Sequence, residues 1–335
     1  MSQTGLVIVN YGKNQLVESI PGVITNCVAR RGLPQIVCGD EVEWLQNPDG
    51  SGVIETIMPR RSVLNRADGN SGQRPLVANI DQVVIEAALE PALDYFLIDK
   101  YCVAAELAQT TPLIVINKSD LLHERDRARI DTLIEEYRGI GYSVLLISAL
   151  ENTGIEAFSK QLEDKTSILV GQSGVGKSSL VKRLLPDQEI TIGKLSNASG
   201  LGKHTTTSTT LYHLPRSGQL IDSPGVRDFH PARVADEQLG SGFREFRPHL
   251  GQCRFNDCRH LSEPGCAVQA AVADGAILER RMQSYRKLLQ PGGFNACQRP
   301  ATAIRSCKAP TPRGRSRVNY PAVAHRMRDH QDPCR

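Results

Sequence analysis

The first part of the chain alternates short apolar runs with turn-forming residues. Apolar side chains gather at residues 6–9, 22–25, 42–45 and 53–57. Turn signals such as Gly12 and Gly39 separate these runs. Short strands with a turn at about every tenth residue are typical of a small β-barrel or β-sandwich. We therefore predict an all-β domain over residues 1–70, built as a barrel of the oligonucleotide-binding (OB) type.

A different pattern follows, in which apolar strands alternate with helical stretches. The apolar runs occupy residues 83–85, 113–116, 144–147 and 167–170. Strand–helix alternation of this kind predicts a parallel sheet covered by helices on both faces. We assign this α/β domain to residues 76–230. The polar segment 70–75, which contains glycine and proline, is interpreted as the linker before it.

The strand pattern ends near residue 231. Helical stretches at 267–273 and 276–289 and a group of cysteines follow in polar surroundings, so we predict a small, mostly helical domain over residues 231–290. The segment 291–335 has scattered proline and arginine without periodicity, which predicts a disordered tail. This tail can be interpreted as an RNA-binding arm or as a translated frameshift without a selected role. Its cysteines are not proposed as ligands: Cys297, Cys307 and Cys334.

Composition narrows the class of protein. The chain has 335 residues, of which 40% are hydrophobic and 23% charged, as in soluble proteins of two or three domains. No apolar run approaches the roughly 20 residues that cross a bilayer. The first residues, MSQTGLVIVN, lack the pattern of a secretion signal. We therefore expect a cytoplasmic protein that has no membrane partner, and we expect it to be a monomer.

A phosphate-binding P-loop pattern is complete in the middle of the chain. Its residues are Gly171, Gln172, Ser173, Gly174, Val175, Gly176, Lys177 and Ser178, and Ser179 continues into a helix. The apolar strand before the loop and the helix after it supply the context that this motif requires. Backbone N–H groups there surround phosphates with positive partial charge. Lys177 is expected to neutralise the β- and γ-phosphates, which makes it a candidate catalytic cation, and Ser178 to ligate Mg²⁺.

A guanine-reading motif comes earlier, as Asn117, Lys118, Ser119 and Asp120. The Asp120 carboxylate can accept both the ring N–H and the exocyclic amine of guanine, which adenine does not offer in that arrangement. Ser148 and Ala149 follow the next strand and are expected to supply a backbone donor to guanine O6. In ordinary GTPases the P-loop comes first, so the reversed order predicts a circularly permuted GTPase core that binds GTP or GDP.

Two further segments complete the predicted phosphate site. Asp222 opens an Asp-Ser-Pro-Gly element that ends at Gly225. Asp222 is expected to hold Mg²⁺, and the Gly225 N–H to meet the γ-phosphate. The polar segment Gly-Lys-His-Thr-Thr-Thr at residues 202–207 has the hydroxyls of a switch loop. One of its threonines should complete the Mg²⁺ shell; Thr206 is favoured and Thr205 stays open.

A compact group of metal ligands follows the α/β domain. Its members are Cys253, Cys258, His260 and Cys266. Three thiols and an imidazole suit tetrahedral Zn²⁺, and this region has too few apolar residues to fold without help. We predict one closed, structural zinc site, with His249 as a rival ligand.

These features together resemble the RsgA (YjeQ) family of circularly permuted GTPases, from near the N-terminus to about Gln290. The resemblance implies an OB barrel, a permuted GTPase core and a zinc-binding domain. It also implies binding to the small ribosomal subunit and its rRNA, and GTP hydrolysis stimulated by that subunit during late maturation. Val226 stands where Ras-like enzymes have a water-orienting glutamine. The resemblance suggests that His204 takes this catalytic role; a surface histidine is the alternative.

Other interpretations stay open. An RNA-binding assembly factor could sense GTP without significant hydrolysis, whereas a small-molecule P-loop kinase would leave the guanine-reading motif without a purpose. Basic residues at the barrel edges fit either an RNA groove or a solvated rim: Arg30, Arg31, Arg60, Arg61 and Arg66. Tyr11 and Trp44 are the few barrel aromatics available to stack bases. The helix at 276–289 has charged residues that fit either a phosphate contact or a solvated face: Glu279, Arg280, Arg281, Arg286 and Lys287.

Overall fold

The computed structural model describes residues 2–67, 73–186, 209–223, 235–290 and 292–294. These residues fall within one compact unit, Met1–Cys297. Most of the predicted tail at 291–335 therefore lies outside the described residues, and its disorder stays a prediction. Within the described ranges, no helix is both long and apolar enough to span a membrane.

The N-terminal strands close into the predicted barrel. They are β1 (Gln3–Asn10), β2 (Asn14–Ile20), β3 (Val23–Ala29), β4 (Glu41–Gln46) and β5 (Gly52–Ile57). They pair in the order β1-β2-β3-β5-β4, and β4 returns to β1, so the five strands close a barrel. Alternate side chains such as Val7, Val17 and Ile54 fill its core, as the period-2 pattern requires. Trp44 is also in this core at 1% exposure, so it cannot stack a base.

The segment interpreted as a linker is partly a strand, which corrects that prediction. Two strands, β6 (Val63–Ala67) and β7 (Gln73–Ala78), form an antiparallel hairpin. Pro75 sits at the register shift of this two-stranded ribbon, next to Asn65. A proline is tolerated at an irregular position of an edge strand, where no ladder hydrogen bond depends on its nitrogen.

A mixed α/β layer follows the barrel. Its elements are β8 (Gln82–Ala88), α1 (Tyr95–Leu107), β9 (Thr111–Asn117), α2 (Glu124–Gly139), β10 (Ser143–Leu146), α3 (Ile155–Leu162), β11 (Thr166–Gly171), α4 (Lys177–Leu184), β12 (Thr209–His213) and β13 (Gln219–Asp222). The order is β10-β9-β8-β11-β13-β12, with every pair parallel except β12–β13. Ile85 and Val84 pack into different clusters, which also contain residues of α1 and of α4, respectively. The sheet therefore has helices on both faces, as predicted, and one antiparallel strand that was not predicted.

Strand β12 joins the α/β sheet to the barrel. Val9 and Asn10 of β1 pair with Thr210 and Thr209 of β12, so the two sheets form one continuous 11-stranded sheet. The barrel is therefore hydrogen-bonded to the strand that follows the predicted switch segment.

The last described region is helical, as predicted. Its helices are α5 (Asp236–Leu239), α6 (Ala267–Ala273) and α7 (Glu279–Leu289), with 3₁₀ turns at Gly240–Gly242 and Arg244–His249. Phe243, Phe246 and Tyr285 form its aromatic core, and Val103 of α1 packs into the same cluster. This region is therefore docked on the α/β layer by apolar contacts.

The basic residues of α7 correct one expectation. Arg281 is completely buried and binds both Asp99 of α1 and Glu245. Arg280 also reaches Asp99, at 3.1 Å. These two arginines hold the helical region to the α/β layer, so they are neither a solvated face nor a free phosphate contact. In the barrel, Arg60 likewise pairs with the buried Asp40.

Candidate nucleotide site and metal centre

The P-loop connects the end of β11 to the start of α4. Gly171 and Gly176 have φ values of +148° and +118°, which L side chains rarely adopt. A Cβ at Gly171 would lie 2.1 Å from the Glu86 carbonyl oxygen, so the close strand–loop packing requires glycine. The Lys177 ammonium donates to the carbonyl oxygens of Gly171 and Gln172, each at 2.6 Å. The loop is thus compact, with its cation folded against it.

The remaining loop residues are placed as a phosphate cradle requires. Val175 is buried, while Ser173, Gly174, Ser178 and Ser179 are exposed at the loop and at the first turn of α4. Backbone N–H groups of this turn have no intrahelical acceptor, and they carry the positive end of the helix dipole. The exposed face of the loop can therefore receive an anion.

Asn117 ties three segments of the chain together. It ends β9, and its side-chain Nδ2 donates to the Val175 carbonyl of the P-loop at 3.3 Å. Its Oδ1 accepts from the Lys118 N–H at 2.7 Å and from the Ala149 N–H at 3.1 Å. The guanine-reading motif, the P-loop and the loop after β10 therefore meet at one buried side chain.

The rest of the guanine motif lies beside Asn117. Lys118 has a left-handed backbone at φ 62°, and its ammonium donates to the Glu90 carbonyl at 2.5 Å. The Ser148 hydroxyl donates to the Asp120 carboxylate at 2.5 Å and accepts from the Glu151 N–H at 3.0 Å. Ser148 thus orients the carboxylate that was predicted to read guanine.

The predicted magnesium ligands lie only partly in the described residues. Asp222 ends β13, which is parallel to β11, so Asp222 and the P-loop leave the same edge of the sheet. Ligands of open α/β sheets bind at the carboxyl ends of the strands. His204, Thr205, Thr206 and Gly225 lie outside the described residues, so their roles stay predictions.

Glu86, to which no sequence motif points, lies beside Asn117. This residue is 1% exposed on β8, and its Oε1 accepts from Asn117 Nδ2 at 2.8 Å. Burial raises the pKa of Glu86 to about 7, although the Asn117 hydrogen bond and the charges of Lys177 and Lys118 lower it. The available signal was a charged residue within an otherwise apolar strand, Val-Val-Ile-Glu-Ala-Ala.

The four predicted zinc ligands converge in the C-terminal region. Each residue offers one ligand atom, and the four atoms lie within 4.8 Å of one another: Cys253, Cys258, His260 and Cys266. Such a group could hold a metal ion. His260 Nδ1 lies 3.5 Å from the Cys253 sulfur and 3.4 Å from the Cys266 sulfur, and the two sulfurs are 3.9 Å apart. The rival ligand His249 is not in this group.

The spacings among Cys253, His260 and Cys266 fit tetrahedral zinc. Zn–S and Zn–N bonds of about 2.3 and 2.1 Å give tetrahedron edges of about 3.6 to 3.8 Å. The observed ligand–ligand distances of 3.4, 3.5 and 3.9 Å lie close to those edges. Two of the ligands, His260 and Cys266, are buried, so the group can enclose an ion and keep it from solvent.

Comparison with known proteins places this geometry in one family. The family model for the RsgA GTPase matches residues 57–231. A protein of Haemophilus influenzae (strain 86-028NP), named small ribosomal subunit biogenesis GTPase RsgA, is 45% identical over 293 residues; the match covers 86% of this chain and 85% of that protein. A Vibrio vulnificus (strain YJ016) protein, named small ribosomal subunit biogenesis GTPase RsgA 1, is 44% identical over 303 residues, covering 89% of this chain and 86% of that protein.

Two solved structures have the same fold. YjeQ from Thermotoga maritima superposes with a TM-score of 0.70 at 33% identity, covering 86% of this chain and 97% of that one. YloQ, described as a circularly permuted GTPase, gives a TM-score of 0.66 at 28% identity, with coverage of 86% and 93%. The similarity therefore includes the barrel and the helical region as well as the nucleotide-binding layer.

Proposed function

Because the chain belongs to the RsgA GTPase family, we propose that it binds and hydrolyses GTP on the small ribosomal subunit during late maturation of that particle. The observation that carries this proposal is the convergence at Asn117. Its side chain contacts the P-loop at Val175 and the loop after β10 at Ala149. Segments that are far apart and in reversed order along the chain thereby form one site.

Different segments of the site bind the base, the phosphates and the magnesium ion. The Asp120 carboxylate, held by Ser148, accepts hydrogen bonds from guanine. The P-loop amides bind the phosphates, and Lys177 moves from the loop carbonyls to the β- and γ-phosphates. Ser178, Thr206 and Asp222 would hold Mg²⁺, which neutralises charge on the phosphate oxygens. The Gly225 N–H contacts the γ-phosphate.

Hydrolysis requires a group that orients water. Val226 has an apolar side chain at the position after the Asp-Ser-Pro-Gly element, so it cannot orient or deprotonate water. His204 takes this role from the switch segment and acts on the water that attacks the γ-phosphate. A positioned proton acceptor contributes about 10²–10⁴-fold to such a rate.

The two flanking regions serve as contacts to RNA. The barrel at residues 1–70 and the zinc-binding region at 231–290 flank the GTPase core at 76–230, and both contact rRNA of the small subunit. One structural Zn²⁺ is bound by Cys253, Cys258, His260 and Cys266, whose spacing and donor types favour it. The protein acts as a monomer in the cytoplasm.

The test is GTP turnover by the purified protein with and without small ribosomal subunits. We expect subunits to raise turnover, and His204→Ala to lower the stimulated rate by about 10²–10⁴-fold with GTP affinity nearly unchanged. His123→Ala, an exposed histidine before α2, is the matched control and should retain the wild-type rate. Tight GTP binding without turnover, even with subunits, would instead show an assembly factor that only senses GTP.

A further inference from the structure

Glu86 occupies the centre of the nucleotide-binding sheet. Strand β8 lies between β9 and β11, and all seven of its residues are buried. In the strand register, Glu86 is paired with Val115 of β9 and with Gly171, the first residue of the P-loop. A carboxyl group at this position is costly to bury and therefore calls for a specific role.

The Glu86 carboxyl contacts both nucleotide motifs. Its Oε1 accepts from Asn117 Nδ2 at 2.8 Å. A Cβ built at Gly176 would lie 3.2 Å from the same oxygen, so the carboxyl lies directly behind the P-loop backbone. Its other oxygen, Oε2, is buried without a hydrogen-bond partner among the residues that the structure describes.

We propose that Glu86 is a positioning residue of this site: its neutral carboxyl holds Asn117 against the P-loop, and its ionised form weakens nucleotide binding. This inference rests on the proposed function, because it concerns the guanine nucleotide site. An ionised carboxylate behind the loop would oppose the negative phosphates in front of it, and the buried surroundings would screen this repulsion poorly. A neutral carboxyl keeps the hydrogen bond to Asn117 and avoids the repulsion.

The surroundings of Glu86 keep its two protonation states close in energy. Lys118, after β9, and Lys177, at the start of α4, are the cations that face it and favour ionisation. Asp94 and Tyr101, before and within α1, line the small cavity on the same side. With the pKa of Glu86 near 7 in the free protein, both forms are populated at neutral pH.

Nucleotide binding must then be linked to proton uptake. Bound phosphates raise the pKa of Glu86 further, so the protein takes up a proton when it binds and affinity falls as the pH rises above 7. An increase of one in the pKa of Glu86 on binding corresponds to a tenfold change in affinity at high pH. Glu86→Gln keeps an acceptor for Asn117 and cannot ionise. Its nucleotide affinity should therefore lose the pH dependence that Glu86 causes, while Asn117 keeps its position.

The experiment is calorimetric titration of the full-length protein with Mg²⁺-GDP at pH 6.0, 7.0 and 8.5. We expect the ratio of wild-type Kd to Glu86→Gln Kd to rise by about three- to tenfold between pH 6.0 and 8.5. Taking this ratio cancels the effect of GDP protonation on the Kd, because both proteins bind the same ligand. Glu86→Leu should bind at least about fivefold more weakly than Glu86→Gln at every pH, because Asn117 Nδ2 loses the shorter of its two hydrogen bonds and keeps only that to the Val175 carbonyl. Glu124→Gln, an exposed carboxyl at the start of α2, is the control.

The outcomes separate this inference from the proposed function. A Kd ratio that does not change with pH, or Glu86→Leu binding as well as Glu86→Gln, overturns the role of Glu86 while GDP binding stands. Absence of GDP binding by the wild-type protein at all three pH values overturns the proposed function and this inference with it. Melting temperatures show whether each variant is folded before its Kd is compared.

Discussion

The Glu18 carboxylate in the barrel lies 2.6 Å from the His213 Nε2 in β12. Glu18 is on β2, and β12 follows directly after the predicted switch segment and pairs with β1. The side-chain pair therefore reinforces the strand pairing that joins the barrel to the nucleotide-binding layer.

The Glu18–His213 pair makes stability at the junction depend on pH. The hydrogen bond to Glu18 raises the pKa of His213 above 6.5, despite its partial burial. Burial would raise the pKa of Glu18, but the hydrogen bonds from His213 and from the Gly22 amide lower it below 4.5. The His213 contribution is complete below pH 6.5 and is lost as pH rises through its folded-state pKa. The Glu18 contribution is present above pH 4.5 and is lost in acid.

We therefore predict that His213→Ala lowers the apparent melting temperature more at pH 6 than at pH 8.5. The difference should be small, because His213 is half exposed and exposed ion pairs contribute up to about 1 kcal/mol. Thermal unfolding of wild type and variant at both pH values measures it, with His123→Ala as an exposed control. Equal shifts at the two pH values would show that the ion pair contributes nothing.

The buried Asp99 should be essential for docking of the helical region. It accepts from Arg281 at 2.6 Å, from Ser284 at 2.5 Å and from Tyr137 at 2.6 Å. Asp99→Ala leaves Arg281 buried with Glu245 as its remaining charged partner, and we expect a loss of about 3–5 kcal/mol in the free energy of unfolding. Denaturant unfolding measures this change.

Glu279→Ala is the matched control for Asp99→Ala. It also removes a carboxylate, but one that forms an exposed ion pair with Arg286 within α7. It should change the free energy of unfolding by less than about 0.5 kcal/mol. Similar effects of the two substitutions would contradict an essential role for the buried network.

The metal centre should contain one zinc ion per chain. Cys258→Ala removes one of four ligands, and we expect it to lose zinc and to unfold the region around residues 253–266. His249→Ala should keep its zinc, because His249 is not part of the ligand group. Elemental analysis measures the zinc content, and limited proteolysis detects the unfolding. Full zinc content in Cys258→Ala together with its loss in His249→Ala would reverse the ligand assignment.

Packing behind the P-loop should forbid a side chain at Gly176. A Cβ there would lie 2.4 Å from Asn117 Nδ2, on a backbone with φ of +118°. We expect Gly176→Ala to displace Asn117 and to weaken GDP binding at least about tenfold, since such backbone strain costs about 1–3 kcal/mol. Gly139→Ala, which meets no atom within 4 Å on α2, is the control. Wild-type affinity in Gly176→Ala would contradict the close packing of Gly176 against Asn117.

The nucleotide motifs could be located from the sequence because they depend on local order. An apolar run must end just before Gly171 and just before the Asn-Lys-Ser-Asp motif, and both ends are visible in the hydrophobic pattern. Parallel strands then bring those ends to one edge of the sheet. The P-loop and the guanine motif follow from these local rules, and the barrel follows from the period-2 pattern around Trp44.

Features that depend on distant partners could not be predicted in this way. The β1–β12 pairing joins Val9 to Thr210, which are separated by most of the chain. Arg281 looks like a surface residue of a basic helix until Asp99 and Glu245 are seen beside it. Glu86 is visible in the sequence as a charge within an apolar strand, but its contact with Asn117 is not.

The central claim is that the reversed motifs close around one guanine nucleotide, and exchanging the base that Asp120 reads tests it most directly. Asp120→Asn replaces one acceptor by an amide donor, which suits xanthine because xanthine has a carbonyl where guanine has its exocyclic amine. Calorimetric titration of wild type and Asp120→Asn with GDP, xanthosine diphosphate (XDP) and ADP measures the affinity for each base. We predict that wild type prefers GDP by at least about 100-fold and that Asp120→Asn prefers XDP. Preference of the wild-type protein for ADP, or an unchanged preference in Asp120→Asn, would contradict the claim.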